Sequence, residues 1–206
     1  MLRYFKEYLC VGGLPYVVSR FVETNDMNVV WQEQQDILEE YKDDFGKHLD
    51  ENENEEIDRT LLGRINRVFD SIPAQLAKEN NKFVYSQLEK KGRSENYQTA
   101  IQWLYDCGII NICHNLTNIA DCFSKQGRKL FYFRKESGLE IDFVENVGGE
   151  LAIIEVKATT GRSKSAKIVL SNDNYAAKVC YKLSENNIGV AGKMVTLPYY
   201  MAMFLE

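Results

Sequence analysis

The chain has 206 residues, of which 45% are hydrophobic and 27% charged, with 3 prolines, 13 glycines and a net charge of −5. That suffices for one or two small globular domains and excludes a wholly disordered or fibrous chain. Aliphatic runs such as Leu151-Ala152-Ile153-Ile154 fall far short of the ~18 residues a membrane span needs.

The start, Met1 to Glu7, shows no apolar secretion core, so no signal peptide is expected. Five scattered cysteines, Cys10, Cys107, Cys113, Cys122 and Cys180, never occur as CxxC. They predict a reducing, cytoplasmic setting with neither a disulfide framework nor a zinc site. Between Asp36 and Asp58 eleven acids face only Lys42 and Lys47, so the rest of the chain is mildly basic. Asp50 to Glu56 is expected as a solvated acidic loop.

Residues 1–56 read as a helical segment with that loop. Val30, Ile37, Leu38, Tyr41 and Phe45 form one helical stripe, and Ile57, Leu61, Ile65, Val68, Phe69 and Ile72 a second. Pro73 is expected to end the second helix and open a short one over Ala74 to Glu79. A third helix starts at Ser94 as N-cap, carries Tyr97, Ile101, Leu104 and Tyr105 on one stripe, and stops at Gly108. A strand over Ile109 to Cys113 follows. Helix, short helix, helix, strand over 57–115 is the order of a winged-helix module. Gln98 and Gln102 lie on the helix that would read DNA, whereas Tyr97 and Tyr105 suit its core.

Beyond residue 119 the period changes to that of strands. Lys129 to Arg134, Leu139 to Glu145 and Glu150 to Lys157 read as strands. The last two form a hairpin with a four-residue connection, Asn146 to Gly149. Ser163 to Leu170 is predicted helical, and Val179–Leu183 and Lys193–Leu197 are predicted strands. Residues 119–206 therefore read as a small mixed-sheet α/β domain, and the whole chain as α+β.

One constellation suggests chemistry. Glu155 and Lys157 point to one face of their strand, and if Asp142 lies across the hairpin on that face, two carboxylates meet beside one ammonium. Two carboxylates side by side are hard ligands of the kind Mg²⁺ or Mn²⁺ takes. Such an ion activates water and polarises a phosphoryl oxygen, and a lysine offsets the charge that develops. This is the layout of PD-(D/E)XK nucleases, with Asp142, Glu155 and Lys157 as catalytic residues and the two acids as metal ligands. The same residues also suit an exposed cross-strand ion pair worth ~0.2–1 kcal/mol, and spacing leaves both readings open. Lys157, Arg162, Lys164 and Lys167 form an acid-free basic stretch suited to a nucleic-acid backbone or simply to solvent. His48 and His114 have no partner pattern. Gly189-Val190-Ala191-Gly192-Lys193 has the wrong spacing for a phosphate-binding loop, so this chain alone is not expected to bind or hydrolyse ATP.

Tyr8-Leu9-Cys10-Val11-Gly12-Gly13-Leu14-Pro15 resembles the GG-x-P segment of a large prokaryotic family of P-loop ATPases with a C-terminal region of unknown function. Phe131 to Arg134 with Gly138 to Phe143, and Ile154 to Ala158, resemble that region's "EIDFV" and "IEVK" strands. The resemblance implies a post-ATPase portion: a helical and winged-helix part, then a restriction-endonuclease-like domain. It also implies a departure. Relatives carry a longer connection and a helix whose Glu supplies a third acid, whereas Leu116 falls near that place and Asp121 is the nearest acid. The expected function is a degenerate nuclease-like domain serving nucleic-acid binding or assembly, as a homodimer or domain swap. The alternative is an active Mg-dependent phosphodiesterase.

Overall fold

The computed structural model describes residues 1–49, 59–78, 82–90, 92–124, 129–158, 161 and 163–205. It has an N-terminal helical part and a C-terminal mixed seven-stranded sheet, the α+β class expected from sequence. The acidic stretch Asp50 to Glu56 lies outside the described residues. Two compact units divide the chain: Tyr8–Ile110, and Met1–Glu7 with Asn111–Glu206.

α1 (Leu2–Val11), whose residues up to Glu7 belong to the sheet unit, turns into α2 (Pro15–Thr24) of the helical unit through the GG-x-P segment. Gly12 has φ +80 and donates its N–H to Tyr8 O at 2.8 Å, a left-handed helix stop that favours glycine. Pro15 occupies the first turn of α2, where its missing N–H costs nothing. α3 (Met27–Leu49) divides its stripe between two cores. Val30 and Ile37 pack with Val11 and Val17, whereas Phe45 packs with Ile65, Val68, Tyr97 and Leu104. Leu38 and Tyr41 of the same stripe remain exposed.

α4 (Arg59–Leu76) runs through Pro73 without a break, contrary to the expected second helix. Its last turn continues past the proline, with Ala77 N donating to Pro73 O at 3.1 Å. α5 (Ser94–Asp106) begins at Ser94 itself. Arg93 is the cap, and no side chain closes the first turn. Gly108 has φ +73, as its terminating role requires. Between α4 and α5 lies a 3-10 turn (Tyr85–Gln87), whereas the short helix expected to open at Ala74 is the end of α4. The strand, however, is β1 (Cys113–Leu116) rather than Ile109 to Cys113. It pairs in parallel with β2 (Leu130–Arg134), so it belongs to the sheet unit and not to a wing.

The sheet continues with β3 (Glu140–Val147), β4 (Glu150–Val156), β5 (Val179–Ser184), β6 (Gly189–Ala191) and β7 (Met194–Pro198), in spatial order β1-β2-β3-β4-β5-β7-β6. The β3–β4 connection is shorter than predicted. Only Gly148 and Gly149 turn, both at positive φ, as a two-residue hairpin twisted with its strands demands. Gly189 to Lys193 forms the β6–β7 hairpin. α6 (Lys164–Ser171) covers one face of the sheet, burying Ala166 and Val169 against Phe133, Ile141, Val144, Leu151, Ile153 and Cys180. Ile154, Leu183 and Leu197 face the other way, against Tyr181, Val195 and Tyr199. Among the described residues no helix is long and apolar enough to cross a membrane.

Candidate functional site

β4 is central to the sheet and buries five residues in succession, Leu151 to Glu155. A charged residue at the end of such a run must be partnered, because an ionised group out of water otherwise costs several kcal/mol. Glu155 is 2% exposed. Its Oε2 accepts from Lys157 Nζ at 3.0 Å, the two side chains sharing a face as strand alternation requires.

Asp142 comes from β3 through a break in register. Phe131 pairs with Val144 and Phe133 with Ile141, so β3 carries one extra residue at positions 142–143. This β-bulge lets Ile141 and Val144 both enter the core, although plain alternation would place them on opposite faces. The β3–β4 ladder reaches Phe143 with Ile154, which brings Asp142 alongside the end of β4. Its Oδ2 accepts the Val156 N–H at 2.8 Å and Lys157 Nζ at 3.4 Å. The structure thus gathers the three residues singled out in the sequence around one ammonium. Burial lowers the Lys157 pKa, but the Glu155 hydrogen bond and the Asp142 and Glu155 charges outweigh it and hold the group above its ordinary range. Both neighbours accordingly favour a charged lysine.

Asp142 and Glu155 supply hard oxygen donors, and in this structure both are engaged by the same ammonium. Lys157 bonds both carboxylates, and Asp142 Oδ2 is also taken by the strand backbone. Among the described residues no three of His, Cys, Asp and Glu gather as a ligand group. Asp121 lies in a 3-10 turn (Ile119–Ser124), where its Oδ2 accepts from Asn118 N at 3.3 Å.

The expected basic stretch is only partly gathered. Lys164 and Lys167 are exposed on α6, and among the described residues no hydrogen bond or ion pair joins them to the three. Arg162 lies outside the described residues. Two neighbours went unread in the sequence. Lys182 of β5 pairs with Glu155 in the parallel register, and its Nζ donates to Gly161 O at 2.9 Å. A lysine between Tyr181 and Leu183 in a strand was its only signal. Tyr199 donates its hydroxyl to Lys157 O at 2.6 Å, a contact across 42 positions that no local pattern encodes. On the helical side, Tyr97 is fully buried with its hydroxyl on Glu89 Oε2 at 3.0 Å, so it packs as expected. Gln98 and Gln102 are exposed.

Two family models match the chain. Residues 112–200 match Domain of unknown function (DUF4143), and that match spans the sheet and fits the C-terminal region of ATPase-associated proteins whose motifs the sequence resembles. Residues 2–133 match Domain of unknown function (DUF8612). No curated protein and no solved structure matches. The DUF8612 match takes in the helical unit, β1 and β2 up to Phe133, more than half of the chain, and the chain belongs to that family.

Proposed function

We propose that this chain is the counterpart of the post-ATPase portion of such a protein, and that its sheet unit is a nuclease-like domain that engages a nucleic-acid backbone without cutting it. The observation that carries this reading is the closed arrangement at Lys157. One ammonium bonds both acids, 3.0 and 3.4 Å away, and among the described residues no three metal-ligating side chains gather. Lys164 and Lys167, exposed on α6, remain available to phosphates. Contacts of this kind are electrostatic, so affinity falls steeply with salt.

The test is gel retardation of single-stranded and duplex DNA and of RNA by the whole chain in EDTA, at about 50 and 200 mM salt. Retardation that weakens with salt, with every strand left intact, is the expected result. No retardation at either salt overturns the reading. If sedimentation then shows concentration-dependent self-association, the domain serves assembly as a homodimer or domain swap.

A second reading has its own observation: Asp142, Glu155 and Lys157 meet on one face although the bulge and the burial of Glu155 both have to be accommodated. In it the chain is a Mg²⁺- or Mn²⁺-dependent phosphodiesterase, and Lys157 must first leave the carboxylates. Cleavage that requires Mn²⁺ and disappears in Lys157→Ala would establish it.

A further inference from the structure

A polar cleft of about 300 Å³ opens in the sheet unit, lined by Thr117, Asn118, Lys135, Asn172, Asn174 and Tyr175. Its chemistry is one-sided. No carboxylate lines it, and among the described residues none pairs with Lys135. The Lys135 side chain is exposed, and its ammonium lies against two rings. It donates to Tyr175 Oη at 3.1 Å and sits 5.0 Å from the Tyr175 ring centroid and 5.7 Å from that of Phe133, itself fully buried and packed edge-on against Tyr175.

The amides are oriented too. Asn118 Oδ1 accepts from Ala120 N at 3.2 Å, and Asn172 Oδ1 accepts from Asn174 N at 3.1 Å. With both oxygens committed to the backbone, both NH₂ ends remain as donors. Tyr175, having accepted from Lys135, also keeps its hydroxyl hydrogen. Three chain segments thus present donors and one positive charge to the same space. We propose that this cleft binds a phosphate group, with Lys135 supplying the charge and the side-chain amides of Asn118 and Asn172 supplying directed hydrogen bonds. Such charge-assisted bonds are about twice as strong as neutral ones. The proposal does not depend on the reading of Asp142, Glu155 and Lys157.

The test is NMR titration of the ¹⁵N-labelled whole chain with inorganic phosphate against chloride, at fixed pH and ionic strength. Saturable shifts at the side-chain amides of Asn118 and Asn172 are expected with phosphate and not with chloride. Lys135→Gln and Asn172→Asp should each weaken binding at least tenfold. Asn172→Asp retains an oxygen for the Asn174 N–H, so it changes the donor while keeping the turn. Lys157→Ala should leave the titration unchanged. A short single-stranded oligonucleotide that displaces phosphate at the same amides identifies a nucleic-acid backbone as the source. An oligonucleotide that does not displace it identifies a free phosphate compound. Shifts that never saturate, that chloride reproduces, or that persist in both cleft variants overturn the proposal.

Discussion

Three charges meet at Lys157: its own and the carboxylates of Asp142 and Glu155. Removing the cation strands Glu155, which is almost wholly buried. Lys157→Met is therefore expected to lower stability by about 2–3 kcal/mol, as seen in urea unfolding. Glu155→Gln in the same chain should restore part of the loss, because the two changes act on one interaction. The sign of the pH dependence follows from the raised Lys157 pKa. Its stabilisation is complete below the unfolded value, about 10.4, and is lost as pH rises through the higher folded value. Unfolding midpoints followed into strong alkali should fall less steeply in Lys157→Met than in the parent.

The cysteines separate at the same scale. All five are free thiols; Cys10, Cys107 and Cys113 are exposed, whereas Cys122 and Cys180 are buried. Burial, reinforced by the Glu155 charge, pushes the Cys180 thiol up to about 12. Burial also raises Cys113, a smaller effect of the same kind. Since the thiolate is the reactive form, a disulfide reagent at neutral pH should label Cys10 and Cys107 first and Cys113 more slowly. Cys122 and Cys180 should react only on unfolding; rapid labelling of Cys180 in the native chain would contradict this placement.

At the scale of elements, punctuation was legible where a single residue decides the backbone. Gly108 ends α5 at φ +73, and a Cβ there would meet nothing within 4 Å. Gly108→Ala should thus cost only the backbone strain, about 1 kcal/mol, in a thermal melt. Pro73 was misread because its stop signal is local, whereas α4 is held by Ile65 and Val68 in the core on its N-terminal side. The proline removes a bond to Phe69 O without ending the helix. Pro73→Ala should accordingly raise the melting temperature, and a lowered one would show that the ring stabilises the last turn. The β3–β4 hairpin and the shared face of Glu155 and Lys157 were readable from period two. The bulge that delivers Asp142 was not, because it depends on the pairing of β3 with β2 rather than on β3's own pattern. Likewise Lys182 and Tyr199 reach the site through a parallel neighbour and a distant turn.

Across the whole chain, one unit is helical and the other is built on the sheet, and the division at Ile110 falls ahead of β1. A strand read as the edge of a winged helix is instead an outer strand of the mixed sheet. Only its pairing with β2 tells the two apart. The DUF4143 match over the sheet agrees with the motif reading, membership of the DUF8612 family adds nothing to it, and neither names a reaction, so function rests on the site. We propose that a nuclease-like arrangement, closed by Lys157, binds nucleic acid and does not cut it. Incubating the whole chain with end-labelled duplex DNA and Mn²⁺ or EDTA, with retardation and strand length read from the same samples, tests it most directly. A salt-sensitive shift with full-length strands is expected in both conditions. Mn²⁺-dependent shortening that vanishes in Lys157→Ala would contradict it.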